Sequence, residues 1–394
     1  MDPLDVHRKL KGKISIAAKA ELKTTADLSI LYTPGVAEPS RQIARDRSLA
    51  YQYTMKPNAV AIVTDGTRVL GLGDIGPEAA LPVMEGKALI MQQFAGIDAF
   101  PICLAEKDPD RIVEIVKAIS PGFGAINLED IATPKVFHIE RRLTEELDIP
   151  VFHDDQHGTA MVALAGLYNA LKVTGKAGGI SGGTEETRNP KPGTQDPGHE
   201  TRIGIVGAGS AGYAIAKLLK AAGFDDLVVF DSQGALSASR EGLKGYKQEL
   251  AAMNRSGFSG MINEFAGADV IIAASKPGAL PIEAIKAMRK PSIVFALSNP
   301  TPEISLEQAR ELGIDVFGTG RSDYPNQINN SLCFPGFLRA LLDLRVKKIT
   351  DGMKIAAAKG IAESVPSPSK EMIVPDAFDK SVVEKIKEKV GKAL

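Results

Sequence analysis

The chain has 394 residues, of which 44% are hydrophobic and 24% charged, and its formal net charge is -1 at pH 7. That length exceeds one ordinary core and predicts two domains. Balanced charge with no long block of one sign argues against nucleic acid or a membrane surface as the main partner.

The opening stretch MDPLDVHRKLKGKISIAAKAEL lacks the apolar core of a signal peptide, and no apolar run is long enough to span a bilayer. A cytoplasmic location is therefore expected. Strands are then predicted, in chain order, at NAVAIVTDG, DAFPICL, GAINLED and IPVFHDD, and again at RIGIVGAG, DLVVFDS, DVIIAAS, SIVFALSNP and DVFGTG. Most are continuous runs rich in Val, Ile and Phe, as buried parallel strands are. Between them, DPDRIVEIVKAIS and GYAIAKLLKAAG carry apolar residues at helical spacing. The alternation predicts an α/β architecture: an N-terminal α/β domain over residues 1–155 holding substrate and metal, followed over 156–394 by a Rossmann-type doubly wound parallel-sheet domain with C-terminal helices. Residues 176–200, rich in Gly, Pro, Thr and Glu without apolar periodicity, read as a mobile loop or linker, and 377–394 as an exposed Lys-rich helix. Cys103 and Cys333 form no CxxC pair and read as core thiols in a reducing compartment.

Polar residues cluster where the strands end: Asp65 and Arg68, Glu129 and Asp130, Asp154 and Asp155, then Gly207, Asp231, Ser275 and Asn299. Ligands of open α/β sheets sit outside the carboxyl ends of strands, so these residues are expected to face one cleft. The run Gly207-Ala208-Gly209-Ser210-Ala211-Gly212 follows a predicted strand and opens a predicted helix, the context a dinucleotide fingerprint requires. Gly207 is placed at the tight turn, Gly209 at the pyrophosphate and Gly212 against the strand. Asp231 ends the next strand, where an acid meets the ribose hydroxyls; it favours NAD, while nearby Arg240 leaves NADP open. The plain alternative is a packing turn with no ligand.

VFHDDQHGTA, residues 151–160, sets two adjacent carboxylates between two histidines. His153 and His157 are four apart, a zinc spacing on a helix, but His153 ends a strand. Glu129, Asp130, Asp154 and Asp155 instead converge at neighbouring strand ends, which suits Mg²⁺ or Mn²⁺. Helix capping explains the same aspartates about as well from spacing alone.

That segment, followed by LAGLYNALKV, resembles the malic enzyme family, as do ILYTPGVAEP (30–39), TDGTRVLGLGDIG (64–76), GKALIMQ (86–92), INLEDI (126–131), ALSNPT (296–301) and NQINNSLCFPG (326–336). The short N-terminal segment resembles the small-subunit prokaryotic type. The resemblance implies oxidative decarboxylation of (S)-malate to pyruvate and CO₂ with NAD or NADP and Mg²⁺ or Mn²⁺, in a homodimer or larger homo-oligomer. Carried over by position, Glu129, Asp130 and Asp155 match the metal ligands, and Asp154 a carboxylate beside the catalytic lysine. Tyr32 matches the general acid, Lys87 the general base, and Arg68 the binder of a substrate carboxylate. Asn299 and Asn330 match the asparagines of the substrate and nicotinamide pocket. The 176–200 loop is longer than the family pattern, and the stretch from Arg68 to Lys87 is one residue longer than in animal forms.

As a base, Lys87 must be neutral, and a pKa depressed by burial or by Arg68 is expected. Without the resemblance, Lys87 reads as a solvated helix lysine and Tyr32 as a turn tyrosine before Pro34. Tyr32 precedes the first strand by more than twenty residues, so it is expected to reach the active site of a neighbouring subunit. Two other readings stay open: a metal-dependent 2-hydroxy-acid dehydrogenase that does not decarboxylate, and a non-enzymatic dinucleotide sensor.

Overall fold

The computed structural model describes residues 2–69, 71–176 and 200–394; the loop predicted at 176–200 lies almost wholly outside these described residues. The chain opens on α1 (Pro3–Leu10), α2 (Thr25–Leu31), α3 (Ala37–Arg45) and α4 (Ala50–Tyr53). Local polar signals start them: Asp2 caps α1, and Thr24 and Asp27 form a capping box at α2. None of the four contains a buried residue.

Next come β1 (Ala59–Thr64), α5 (Pro77–Ala95), β2 (Asp98–Cys103), α6 (Pro109–Ile119), β3 (Ala125–Leu128), α7 (Lys135–Glu146) and β4 (Val151–His153). They build a parallel sheet of order β2-β1-β3-β4. Alternation divides β1 between two cores. Val60 and Ile62 face Met84, Ala88 and Met91 of α5, whereas Ala61 and Val63 face Ile112 and Val116 of α6 and Ile139 and Leu143 of α7.

After α8 (Asp154–Thr174) a second sheet forms from β5 (Ile203–Val206), β6 (Leu227–Asp231), β7 (Gly234–Ala235), β8 (Val270–Ala273), β9 (Ile293–Ala296) and β10 (Val316–Thr319), in the order β10-β9-β8-β5-β6-β7. All pairs are parallel except β6 with β7. Its connections include α9 (Ser210–Ala221), α10 (Tyr246–Met253), α11 (Ile282–Lys286) and α12 (Leu306–Glu311), and α13 (Phe334–Asp343), α14 (Asp351–Glu363) and α15 (Ser381–Gly391) close the chain. Each predicted strand is present. Only the two-residue β7 was not foreseen, because it is too short to carry a pattern.

One core joins the two sheets. It holds Val60 and Ile62 of the first, Ile203, Ile205 and Phe295 of the second, and the inner faces of α5, α8, α9, α13 and α14. Helix α8 is buried along nearly its whole length, so it has no polar face to read as amphipathic. The C-terminal tail corrects an expectation: α15 buries Val382, Val383, Ile386 and Val390, and only its outer face is lysine-rich. No helix among the described residues is long and apolar enough to cross a membrane.

Each sheet has a switch point, between β1 and β3 in the first and between β5 and β8 in the second, where the chain winds off in opposite directions. Such points open a crevice at the carboxyl ends of the strands. Thr64, Leu128 and Val206 end β1, β3 and β5 there.

Candidate active site

Lys87 sits on the buried stripe of α5, with Ala80, Met84, Ala88 and Met91. Its Nζ lies 2.9 Å from Glu129 Oε1, makes a short contact to Asp154 Oδ2, and stands 4.5 Å from the centre of the Phe334 ring. The reading of a solvated lysine is therefore overturned: the residue is 9% exposed. The expected low pKa is overturned as well. Burial alone pushes the ammonium down, but Asp154, Glu129 and Asp155 outweigh it and hold Lys87 above the ordinary lysine range. Arg68 is not what sets Lys87.

The four carboxylates come from two places in the chain, the end of β3 and the start of α8. Glu129 follows β3, with Oε2 accepting from Asn127 Nδ2 at 3.0 Å; burial pushes its acid form up. Asp130 takes a left-handed backbone, φ 51°, which Asp tolerates better than most residues. Its N–H donates to Asp155 Oδ2 at 3.0 Å, and its carbonyl accepts from Arg68 N at 3.0 Å. Asp154 and Asp155 open α8, yet neither caps it: the N-cap is His153, without a side-chain cap bond. As neighbours on a helix they point apart. Asp154 turns to Lys87 and to Asn330 Nδ2, 2.5 Å away, and burial raises its acid form. Asp155 opposes burial with the His153 hydrogen bond and the charges of Lys87 and Arg68, which hold its acid form down to about 2.

Glu129, Asp130 and Asp155 each offer an oxygen, and these atoms lie within 4.8 Å of one another. An all-oxygen set of this size fits a hard divalent cation, not zinc. The histidines do not join it as a pair: His157 Nε2 meets Glu140 Oε1 at 2.5 Å, and His153 lies between Asp155 and Gln156.

The glycine run closes the other side. Gly207 has φ +114°, and a Cβ on it would lie 2.3 Å from Ala274 O; one on Gly212 would lie 1.8 Å from Gly207 O. Both contacts are with backbone, so only glycine fits. A Cβ on Gly209 would meet only Arg68, 3.9 Å away, so that face is open to a phosphate at the uncapped N-terminus of α9. The chain thus fits a dinucleotide as well as a cation, and Arg68 stands between the two positions. Asp231 ends β6 in a bidentate pair with Arg240, at 2.7 and 3.0 Å, and Lys247 Nζ lies 2.8 Å from it. Burial opposes the charge, but these two cations hold its acid form down to about 2.

Ser275 is adjacent to the Gly207 turn. Asn299 sits beside Gly320 and Gly71 after β9. Tyr32 is 64% exposed, and no hydrogen bond or ion pair links its side chain to the cluster among the described residues. Sequence reasoning missed Gln156, Glu140 and Glu303. Glu303 is buried and accepts from Ser275 N at 2.7 Å and Ser298 N at 3.1 Å, bracing the loops after β8 and β9.

Residues 11–108 match the family described as "Malic enzyme, N-terminal domain", and residues 156–312 and 314–393 that described as "Malic enzyme, NAD binding domain". The chain is 49% identical to an NAD-dependent malic enzyme of Geobacillus stearothermophilus, over 97% of this chain and 76% of that one. It is 48% identical to a bifunctional malic/malolactic enzyme of Bacillus subtilis, over 100% of this chain and 92% of that one. The crystal structure of an NAD-dependent malic enzyme from Thermotoga maritima superposes with a TM-score of 0.89 at 45% identity, covering 99% of both chains. Geometry, whole-length identity and superposition agree, and the chain belongs to the malic enzyme family.

Proposed function

We propose that the chain oxidatively decarboxylates (S)-malate to pyruvate and CO₂ with NAD or NADP and Mg²⁺ or Mn²⁺. The observation that carries this reading is Lys87, buried against Asp154 and Glu129 beside a three-carboxylate oxygen set. Glu129, Asp130 and Asp155 hold the cation. Bound there, it would supply the positive charge that polarises a substrate oxygen, and would offset the carboxylate charge that otherwise keeps Lys87 protonated. The nicotinamide supplies the hydride acceptor.

The chain's own residues do the rest. Lys87 takes the proton of the C2 hydroxyl, and Asp154, held by Asn330, aims the lysine nitrogen. Arg68 binds a malate carboxylate. Tyr32 delivers a proton to C3 after CO₂ has left. Gly207, Ala208, Gly209, Ser210, Ala211 and Gly212 cradle the pyrophosphate, and Asp231 meets the ribose. Ser275, Asn299 and Asn330 line the nicotinamide side.

Residues 1–155 form the malic enzyme N-terminal domain and 156–394 the dinucleotide domain, a division supported by the chain order of the two sheets. The protein works in the cytoplasm, in keeping with free Cys103 and Cys333. It is a homodimer in which Tyr32 serves the partner's site, supported by its exposure in the single chain.

The test follows reduced nicotinamide by absorbance with malate, Mn²⁺ and NAD or NADP, while trapping CO₂. Reduction with stoichiometric CO₂ is expected. Reduction without CO₂ would establish the non-decarboxylating dehydrogenase instead. EDTA should abolish turnover, and Mn²⁺ or Mg²⁺ should restore it; restoration by Zn²⁺ alone would return the metal to the histidines.

A further inference from the structure

Behind Asp155 lies a buried run of polar side chains that the reaction itself does not use. Glu140, on α7, accepts from Gln156 Nε2 at Oε2 (2.6 Å) and from His157 Nε2 at Oε1 (2.5 Å). The same Gln156 nitrogen lies 2.7 Å from His153 Nδ1, and His153 Nε2 lies 3.3 Å from Asp155 Oδ2. His153 is fully buried, and Gln156 is 2% exposed.

Donor and acceptor rules leave one arrangement. Ionised Glu140 only accepts, so Gln156 must present its NH₂ and not its carbonyl. One amide hydrogen goes to Glu140 and the second to His153 Nδ1. That ring nitrogen must then be the acceptor, so neutral His153 carries its proton on Nε2, facing Asp155. Asp155 Oδ2 takes this bond together with the Asp130 N–H, while Oδ1 makes no hydrogen bond among the described residues.

We propose that Glu140, Gln156 and His153 are positioning residues: Glu140 orients the Gln156 amide, which sets the His153 tautomer, which in turn holds Asp155 with one oxygen aimed at the cation. This rests on the metal reading given above. Partners behind metal ligands commonly change affinity by about 10- to 100-fold when removed. The outer end of the run is accessible to variants, because Glu140 and His157 line a cleft of about 670 Å³ that also touches α9, α10 and α14.

The test is a Mn²⁺ titration of the metal-free protein, read by the electron paramagnetic resonance of free Mn²⁺, with ¹⁵N histidine spectra of the same samples. Wild type should bind, and Asp155→Asn should not. Gln156→Leu and Glu140→Ala should each weaken Mn²⁺ by about tenfold. Glu140→Gln keeps a carbonyl that accepts from Gln156 and should stay within about twofold of wild type. In wild type the His153 proton should reside on Nε2 alone; in Gln156→Leu it should spread over both nitrogens, a change that lost packing would not cause. If Gln156→Leu fails to fold, the Glu140 pair and the wild-type spectrum decide. Unchanged affinity in Glu140→Ala overturns the proposal. So does Glu140→Gln losing as much as Glu140→Ala, or a wild-type His153 protonated on Nδ1. If Asp155→Asn binds Mn²⁺ as tightly as wild type, the metal reading itself fails and the relay falls with it.

Discussion

Lys87 joins stability to chemistry. Its ammonium is the cation that two buried carboxylates, Asp154 and Glu129, are built around. Taking one partner from a buried pair costs about 3–5 kcal/mol, because the other charge is left in a poor solvent. Lys87→Met keeps the length and removes the charge, so urea unfolding of the metal-free protein should show a loss of about that size. Lys87→Arg restores the charge but cannot give up a proton at working pH. It should recover most of the stability while turnover stays down by roughly 10²–10⁴-fold. Equal stability losses in the two variants would show that packing, not charge, is what Lys87 supplies. At Asp231 the same accounting bears on the cofactor. Its carboxylate is occupied by Arg240 and Lys247, so Asp231→Ser frees two cations where the ribose is proposed to sit. The ratio of kcat/KM for NADP over NAD should rise at least about tenfold in steady-state assays, the scale of one charge-assisted hydrogen bond; an unchanged ratio would place the ribose elsewhere. Asp231 also has an acid-side signature. Its folded value, about 2, lies below the ordinary 3.8, so its stabilisation is complete above the higher value and is lost as pH falls through the lower one. Asp231→Asn should flatten the pH dependence of the urea midpoint between those limits.

At the level of elements, legibility followed burial. The strands could be read because both faces of each sheet are covered, which makes parallel strands continuous apolar runs. The Gly207 turn could be read because its glycines answer to backbone contacts that no side chain tolerates. The relay behind Asp155 could not: Glu140 lies on another helix from Gln156, and no spacing rule links them. Lys87 left a trace that was overlooked. It falls on the stripe Met84, Ala88 and Met91, and a lysine inside an apolar stripe must be either paired or misread. The tail was misjudged by its lysines. Helix α15 seats Ile386 in a notch lined by two glycines: a Cβ on Gly336 would lie 2.8 Å from Ile386 Cδ1, and one on Gly360 would lie 3.0 Å from its backbone. Ile386→Ala should therefore cost about 2–5 kcal/mol in denaturant unfolding. A loss below about 0.5 kcal/mol, typical of surface positions, would return the tail to an exposed role.

At the scale of the molecule, the N-terminal helices are out of balance with the rest. Among the described residues, α1 to α4 bury nothing, while Leu4, Leu10, Ile16, Ile30, Leu31 and Tyr32 are all exposed. Short helices gain their stability by packing an apolar face, and these four bury no such face among the described residues. In the proposed two-fold dimer a second copy would supply a packing partner, and the exchange would be mutual, each segment covering the other subunit. The proposed general acid travels with it, since Tyr32 ends α2. If Tyr32 serves the partner's Lys87, the two lesions can be placed on different chains. Tyr32→Phe removes the acid with the fold intact, and Lys87→Arg removes the base while keeping the buried charge. Each homodimer should be nearly inactive in forming pyruvate. When the two variants are co-expressed and pair at random, half of the dimers are hybrids. Each hybrid joins one intact Lys87 to one intact Tyr32 at a single site, so roughly a quarter of wild-type specific activity should return. If both residues of a site come from one chain, every site carries a lesion and none of the activity returns.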